Sequence, residues 1–250
     1  FFKERYCMNI VGDIGNSDTK VCIIKNKKIF KKIIFPTKLL TKSYFDNKIK
    51  FIKKHKITSS LFCSVVPKKF EIIKNVLSRS YSIKTYELKK IDLKDIIKIK
   101  VNIKQIGSDR LANSISVSKL NSNYIIIDFG TATTFDVIIK NNYFGGIIAP
   151  GINLSIKSLE NNASLIPNFT LQKVKKVIGK NTLSALRSGF FWGYTGLINN
   201  IIKLIKTETK KNFKIIATGG YSHLFKSSLD YKVSIDKDIT IKGLIKIINN

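Results

Sequence analysis

Several residue types are scarce in this chain, and each scarcity closes off a class of chemistry. Of 250 residues, 3 are Cys, 2 are His and 1 is Met. Cys7, Cys22 and Cys63 have neither metal-ligand nor redox spacing, and an odd count argues against a disulfide framework, so they read as reduced cytosolic thiols. His55 and His223 are isolated and read as structural or exposed. No Walker A loop, nucleophile elbow or zinc pattern occurs. No apolar run approaches the about 18 residues that span a bilayer, so no membrane partner is expected. The segment Phe1-Phe2-Lys3-Glu4-Arg5-Tyr6-Cys7 carries charge where a secretory signal has its apolar centre. The single Met8 directly precedes the first strand-like run, so residues 1–7 read as an extension upstream of the start.

Acidic residues are also few, 16 against 45 Lys+Arg, giving a net charge of +29. A field of that sign attracts nucleic acid and anionic membranes. The excess is nearly all Lys, however, spread through the chain among many Ile and Asn. Those three residue types share A/T-rich codons, so the charge reads as genome drift and no nucleic-acid partner is expected. The densest basic run, Lys25 to Lys32, is interrupted by apolar residues and reads as an exposed hairpin. An apolar fraction of 44% supplies an ordinary globular core.

What the chain does contain is a repeated turn. Asp13-Ile14-Gly15-Asn16 and Asp128-Phe129-Gly130-Thr131 lie 115 residues apart (128 minus 13), each between two apolar runs of strand type. Each reads as a strand, a tight glycine turn and a returning strand. Small residues there let backbone N–H groups approach a phosphate, and an Asp at the strand end can hold a cation against it. Repetition at half-chain spacing suggests two related domains facing one nucleotide.

The periodicity predicts strands over 9–15, 19–25 and 28–35, a helix over 42–54, a strand over 57–66, a helix over 68–79 and a short strand over 81–87. The Lys/Ile-rich segment 88–106 fits no pattern. A helix opens at Gly107 and runs to about Lys119. Strands follow over 123–129, 132–140 and 143–149, then helices to about Asn161 and over 181–206, a strand over 213–217, and short elements to the end. The class is α/β with mixed sheets flanked by helices. The domain limits are 8–118 and 119–250, with any hinge near 107–122.

Several short motifs bear on chemistry. In Gly107-Ser108-Asp109-Arg110, Asp109 taken alone reads as a helix N-cap; its sharper reading is a general base with Arg110 as anion anchor. Thr182, after Gly179-Lys180-Asn181, is placed to cap a helix or touch a substrate. Thr218-Gly219-Gly220 reads as a strand-to-helix turn or an adenine wall. Gly145-Gly146 to Pro150-Gly151 reads as a strand between turns or a substrate wall. Gly189, Gly193 and Gly196 recur at helical spacing, each costing about 1 kcal/mol of helix propensity, which suggests close packing of another helix there, within the chain or across a subunit interface. Trp192 beside them reads as a packing residue.

Taken in order, these motifs resemble the type III pantothenate kinases of the acetate and sugar kinase/Hsp70/actin superfamily, over about residues 8 to 248. The most specific pair is Gly107-Ser108-Asp109-Arg110 followed by Asp128-Phe129-Gly130-Thr131-Ala132-Thr133-Thr134. The resemblance implies two ribonuclease H-like domains (the actin-like ATPase fold) with the active site between them, usually in a cytoplasmic homodimer. It implies ATP-dependent phosphorylation of the primary hydroxyl of pantothenate, the first step toward coenzyme A. By that likeness Asp13, Ile14, Gly15, Asn16, Ser17, Asp18, Thr19 and Lys20 cradle the ATP phosphates, and Thr131 adds a contact. Asp128 binds a monovalent cation, K+ or NH4+. Asp109 accepts the proton; Gly107, Ser108, Asp109, Arg110 and Thr182 line the pantothenate pocket. Mg2+ accompanies ATP, with Asp13 a nearby carboxylate. Ser17 and Ser108 stand where the family usually has Thr and Ala, and Lys100 and Ile103 where Tyr and Pro are usual, so one pocket wall differs.

Two other functions are compatible with the residues. One is a kinase or ATPase for another small alcohol; the other is a non-catalytic basic relative that binds nucleic acid. The presence together of Asp13, Asp109 and Asp128 argues against the latter, since three carboxylates repel a phosphate backbone.

Overall fold

Alternating apolar residues between two glycine- or asparagine-centred turns fold the start of the chain into a meander. In the computed structural model, which describes residues 8–249, β1 (Met8–Ile14), β2 (Asp18–Lys25) and β3 (Lys28–Pro36) pair antiparallel in sequence. The expectation for residues 1–7 lies outside the described residues. Asn26 and Lys27 both adopt positive φ, 51° and 63°. That pair of left-handed residues matches the twist a two-residue hairpin needs. The edge strand β3 carries Lys28, Lys31 and Lys32, charges that discourage edge-to-edge pairing.

On the other side of β1 lies β4 (Ile57–Ser64), parallel to it, and β5 (Lys84–Glu87) runs parallel to β4. The first sheet is therefore ordered β3-β2-β1-β4-β5. Helix α1 (Lys42–Ile49) starts where the Thr41 hydroxyl accepts from the Tyr44 N–H at 3.2 Å, and a 3-10 turn over Lys50–Lys54 replaces the rest of the expected 42–54 helix. Helix α2 (Pro67–Tyr81) opens with proline at its first position and stops at Ser82, whose φ is 54°. Ile10, Ile14, Val21, Ile23, Phe45, Phe62, Ile73 and Leu77 form the core between these helices and the sheet.

Segment 88–106, unplaced from sequence, contains two short 3-10 turns and the two-residue strand β6 (Lys98–Ile99). It nonetheless buries Leu88, Leu93, Ile96, Ile97 and Ile106. Helix α3 (Ser108–Ser116) follows.

The second half repeats the plan. β7 (Tyr124–Phe129), β8 (Ala132–Ile139) and β9 (Asn142–Pro150) form an antiparallel meander. β10 (Lys214–Gly219) lies parallel to β7, and β11 (Val233–Ile235) parallel to β10. The order β11-β10-β7-β8-β9 mirrors that of the first sheet, strand for strand. Helices α4 (Ile152–Asn162), α5 (Thr182–Thr209) and the short α6 (Ser222–Phe225) pack against it. In the core, the Phe225 ring stacks on Phe129 at 5.5 Å and on Phe191 at 5.6 Å. Trp192 packs edge-on against Phe191 at 5.0 Å.

Contacts divide the chain into Leu120–Lys237 and the remainder. The division differs from the sequence reading at the C-terminus: α7 (Ile239–Ile248) belongs to the first unit, not the second. It packs on α3, β1 and β4. Gly243 makes the crossing possible, because a Cβ there would lie 1.9 Å from the Ala112 carbonyl oxygen. The Thr240 hydroxyl donates to Asn113 Oδ1 at 2.7 Å in the same buried seam, and Lys246 Nζ donates to the Ser118 carbonyl.

The expectation of helix packing at Gly189, Gly193 and Gly196 is not met among the described residues. A Cβ at any of the three would find no atom within 4 Å, because this side of α5 faces away from its own sheet.

Candidate active site

In the first unit, the β1–β2 turn closes with the Gly15 N–H donating to the Asp18 carbonyl at 3.0 Å. Thr37, just past β3, secures this turn from behind. Its N–H donates to the Ser17 carbonyl at 2.8 Å and its hydroxyl to the Gly15 carbonyl at 2.7 Å. Since that hydroxyl has spent its one proton, the Thr19 hydroxyl, 2.9 Å away, donates to it. Asn16, Ser17 and Asp18 are left exposed at the tip. The side chains of Ile14 and Thr19 are fully buried, so these two members of the expected phosphate loop support it and offer only backbone. Thr37 was missed from sequence; a Thr in a connection carries no periodic signal.

Asp13 is the penultimate residue of β1, a strand with no exposed position. It is half-buried, with Lys20 as register partner on β2 and Cys63 on β4. The Cys63 thiol donates to Asp13 Oδ1 at 3.4 Å. Burial raises the Asp13 carboxyl to about 6; Lys20 opposes the rise and the charge of Asp109 adds to it. Asp13 and Asp109 are therefore within electrostatic reach of each other, as a shared site requires. Burial, with the carboxylates of Asp13 and Asp109 behind it, pushes the Cys63 thiol well up, so it stays a donor.

Asp109 lies in the first turn of α3. The N-cap is Gly107, one of two departures from the expected capping. Asp109 Oδ1 accepts the Arg110 N–H at 2.8 Å. The carboxylate folds back over Gly107, where a Cβ would stand 2.4 Å from Oδ1, so a larger residue there would make the carboxylate turn away. The helix N-terminus favours the negative charge. Arg110 is half-buried beside it, and Ser108 is buried, its hydroxyl donating to Glu87 Oε1 at 2.6 Å. Glu87 was not foreseen, since 21 residues separate it from Ser108.

In the second unit, Asp128 is half-buried at the end of β7. Its register partners are Thr134 on β8 and Thr218 on β10. Partners in register share a face of the sheet, so two hydroxyls flank the carboxylate. Thr134 Oγ1, like that of neighbouring Thr133, is buried and meets no hydrogen-bond partner. A buried hydroxyl without a partner is costly, and a cation held by oxygen donors would satisfy it. Residues 130 and 131 form the turn, the Gly130 N–H donating to the Ala132 carbonyl at 3.1 Å, and Thr131 is exposed. Thr182 is exposed at the first position of α5, but does not cap it. Asn181 does, its Oδ1 accepting the Ser184 N–H at 2.9 Å. His55 lies edge-on to Phe30 at 5.9 Å and His223 is exposed.

Among the described residues, no three His, Cys, Asp or Glu side chains gather as a metal-binding group. A site with one carboxylate suits Mg2+ that arrives with phosphate ligands and water. No described helix is long and apolar enough to cross a membrane.

Comparison with known proteins follows the same lines. The sequence profile of the family described as type III pantothenate kinase matches residues 9–204. A type III pantothenate kinase of Pelagibacter ubique (strain HTCC1062) is 57% identical over 242 residues, 96% of this chain and 98% of that one. Among solved structures, a Campylobacter jejuni protein described as a Baf family transcriptional activator superposes with a TM-score of 0.61 at 20% identity, covering 96% of this chain and 97% of that one. A ROK family glucokinase from Streptomyces griseus gives a TM-score of 0.54 at 10% identity, with 97% and 98% covered. At such identities the two structures speak for the fold alone.

Proposed function

This chain belongs to the type III pantothenate kinase family, and from that premise we propose how its residues divide the work. The fold is that of the actin-like ATPases. The reaction is ATP-dependent phosphorylation of pantothenate in coenzyme A biosynthesis. The primary hydroxyl oxygen of pantothenate bonds to the γ-phosphorus, the bond from that phosphorus to the ADP oxygen breaks, and the hydroxyl proton passes to the Asp109 carboxylate.

The observation that carries this assignment is the pairing of Asp13 and Asp109: the charge of Asp109 acts on Asp13, whose carboxyl burial raises to about 6. Asp109, on a helix N-terminus with its Oδ1 anchored by the Arg110 N–H, has a second oxygen available as base. A base positioned at the alcohol contributes about 10²–10⁴ in rate. Arg110 borders the acceptor, while Ser108, buried with its hydroxyl on Glu87, supports the turn from behind. The exposed tip at Asn16, Ser17 and Asp18, with Lys20 beside Asp13, takes the ATP phosphates, and Thr131 adds a contact. Thr182, exposed at the start of α5, reaches pantothenate.

Mg2+ on the ATP phosphates next to Asp13 would neutralise charge that builds during transfer. Asp128, with Thr134 and Thr218, would hold the monovalent cation, K+ or NH4+; the partnerless Thr134 hydroxyl supports that choice. We assign a homodimer, with the open glycine side of α5 as its contact, and place the enzyme in the cytoplasm, where ATP is made and Cys22 and Cys63 remain thiols.

The test is ATP consumption by purified protein with pantothenate, in potassium and then sodium buffer, with product mass determined. Phosphopantothenate formed faster in potassium supports both the reaction and the cation site. ATP turnover indifferent to pantothenate would point to a different alcohol, and equal rates in the two salts would remove the cation from Asp128.

A further inference from the structure

The base is delivered by a turn that something must hold still. Asp109 sits only two residues into α3, and the chain just before it, 100–107, has no long regular element. Two side chains, one at the end of β5 and one in the turn after it, grip that stretch. Glu87 Oε2 accepts the Lys89 N–H at 2.7 Å, which fixes its carboxylate at the start of a 3-10 turn. Glu87 Oε1 then accepts the Ser108 hydroxyl at 2.6 Å. From the same turn, Lys89 Nζ donates to the carbonyls of Ile106 at 2.8 Å and Lys104 at 3.1 Å.

The segment entering Asp109 is thus tied at 104, 106 and 108 to one support, and that support extends a strand of the same sheet that carries Asp13. Ser108 is only 1% exposed, so water cannot replace Glu87 as its partner. Charge-assisted bonds of this length are stronger than neutral ones. The Cys63 thiol is raised by burial, then by Asp13, Asp109 and, more weakly, Glu87, so all four groups share one neighbourhood.

We propose that Glu87 is a positioning residue for phosphoryl transfer, holding the Asp109 turn through Ser108 while Lys89 holds the chain entering it. This rests on Asp109 as the base. Loosening the turn moves the base relative to the hydroxyl without touching ATP. A displacement of about 1 Å can cost about 10²-fold in rate.

The experiment compares Glu87→Ala, Glu87→Gln, Ser108→Ala, the Glu87→Ala/Ser108→Ala double variant and Asp109→Asn in the full chain. Each is assayed with ATP and pantothenate well below its own melting temperature. Expected for Glu87→Ala is a kcat fall of at least about tenfold with the KM for ATP within about twofold. Glu87→Gln, which keeps one acceptor for Ser108, recovers most of that kcat. In the double variant no buried hydroxyl is orphaned, so melting temperature rises back toward the parent while kcat stays low.

A Glu87→Ala enzyme with parental kcat would overturn the proposal, as would a double variant in which kcat returns along with stability. Full activity in Asp109→Asn would instead overturn the base assignment. Loss in Asp109→Asn with none in Glu87→Ala removes only Glu87.

Discussion

The thiol of Cys63 is a hydrogen-bond donor to Asp13, 3.4 Å from its Oδ1 across neighbouring strands. The bond is the one neutral donor set against a burial effect that works the other way. Burial wins: Asp13, ordinarily at 3.8, stands at about 6. The site therefore keeps a carboxylate in a place where its charge is disfavoured until something positive arrives.

The sign of the pH effect follows. A carboxyl raised on folding binds its proton more tightly in the folded state than in the unfolded one. The stability this contributes is complete below about pH 4 and is lost as pH rises through about 6. Asp13→Asn cannot ionise and escapes the loss. Its stability relative to the parent should therefore climb between pH 4 and pH 8, by on the order of 3 kcal/mol at most, while kinase activity disappears. Urea denaturation of both proteins across that range measures it. A difference flat with pH would mean Asp13 is not perturbed.

Much of this was readable in the sequence, for identifiable reasons. The turns at Gly15 and Gly130 sit between runs of clean period, and β1–β2 and β7–β8 appeared within a residue or two of expectation. The doubled sheet order follows the doubled motif. Segment 88–106 was opaque because its buried Leu88, Leu93, Ile96, Ile97 and Ile106 follow neither a helical nor a strand period. Asn181 and Thr182 are both good caps, and only the fold chooses Asn181. Ile14 and Thr19 entered the expected phosphate loop through the family resemblance, and that their side chains are fully buried, leaving only backbone to the loop, is a tertiary fact. Glu87–Ser108 and Thr37–Gly15 are tertiary contacts that no local pattern encodes.

Where α7 docks was also hidden. An apolar helix after the second domain gives no address, and the address lies in Gly243 meeting Ala112. Gly243→Ala should be destabilising although alanine is the better helix former by about 1 kcal/mol. The new methyl collides with a backbone carbonyl that has no rotamer to escape into. A net loss of about 1–3 kcal/mol is expected, seen as a lower melting temperature. A raised melting temperature would contradict the α3–α7 crossing.

Asp109→Asn separates chemistry from binding. The amide keeps an oxygen for the Arg110 N–H at the position of Oδ1, so α3 should start normally. Transfer should fall by about 10²–10⁴, with the dissociation constant for a non-hydrolysable ATP analogue within a few fold of the parent by calorimetry. Weakened analogue binding of similar size would assign Asp109 to folding or to metal support in place of proton transfer.

Gly193 gives the sharpest test of the proposed dimer. In a single copy of the chain its side of α5 is open, with nothing within 4 Å of an added Cβ. If α5 faced only water, Gly193→Ala would gain about 1 kcal/mol of helix propensity at no cost. With a second copy packed closely there, the same methyl pushes two helices apart. We expect sedimentation velocity to show the variant shifted from dimer toward monomer at concentrations where the parent remains dimeric, with helix content by circular dichroism unchanged. A variant that stays dimeric and melts higher would move the interface elsewhere and leave the three glycines of this helix without a packing role.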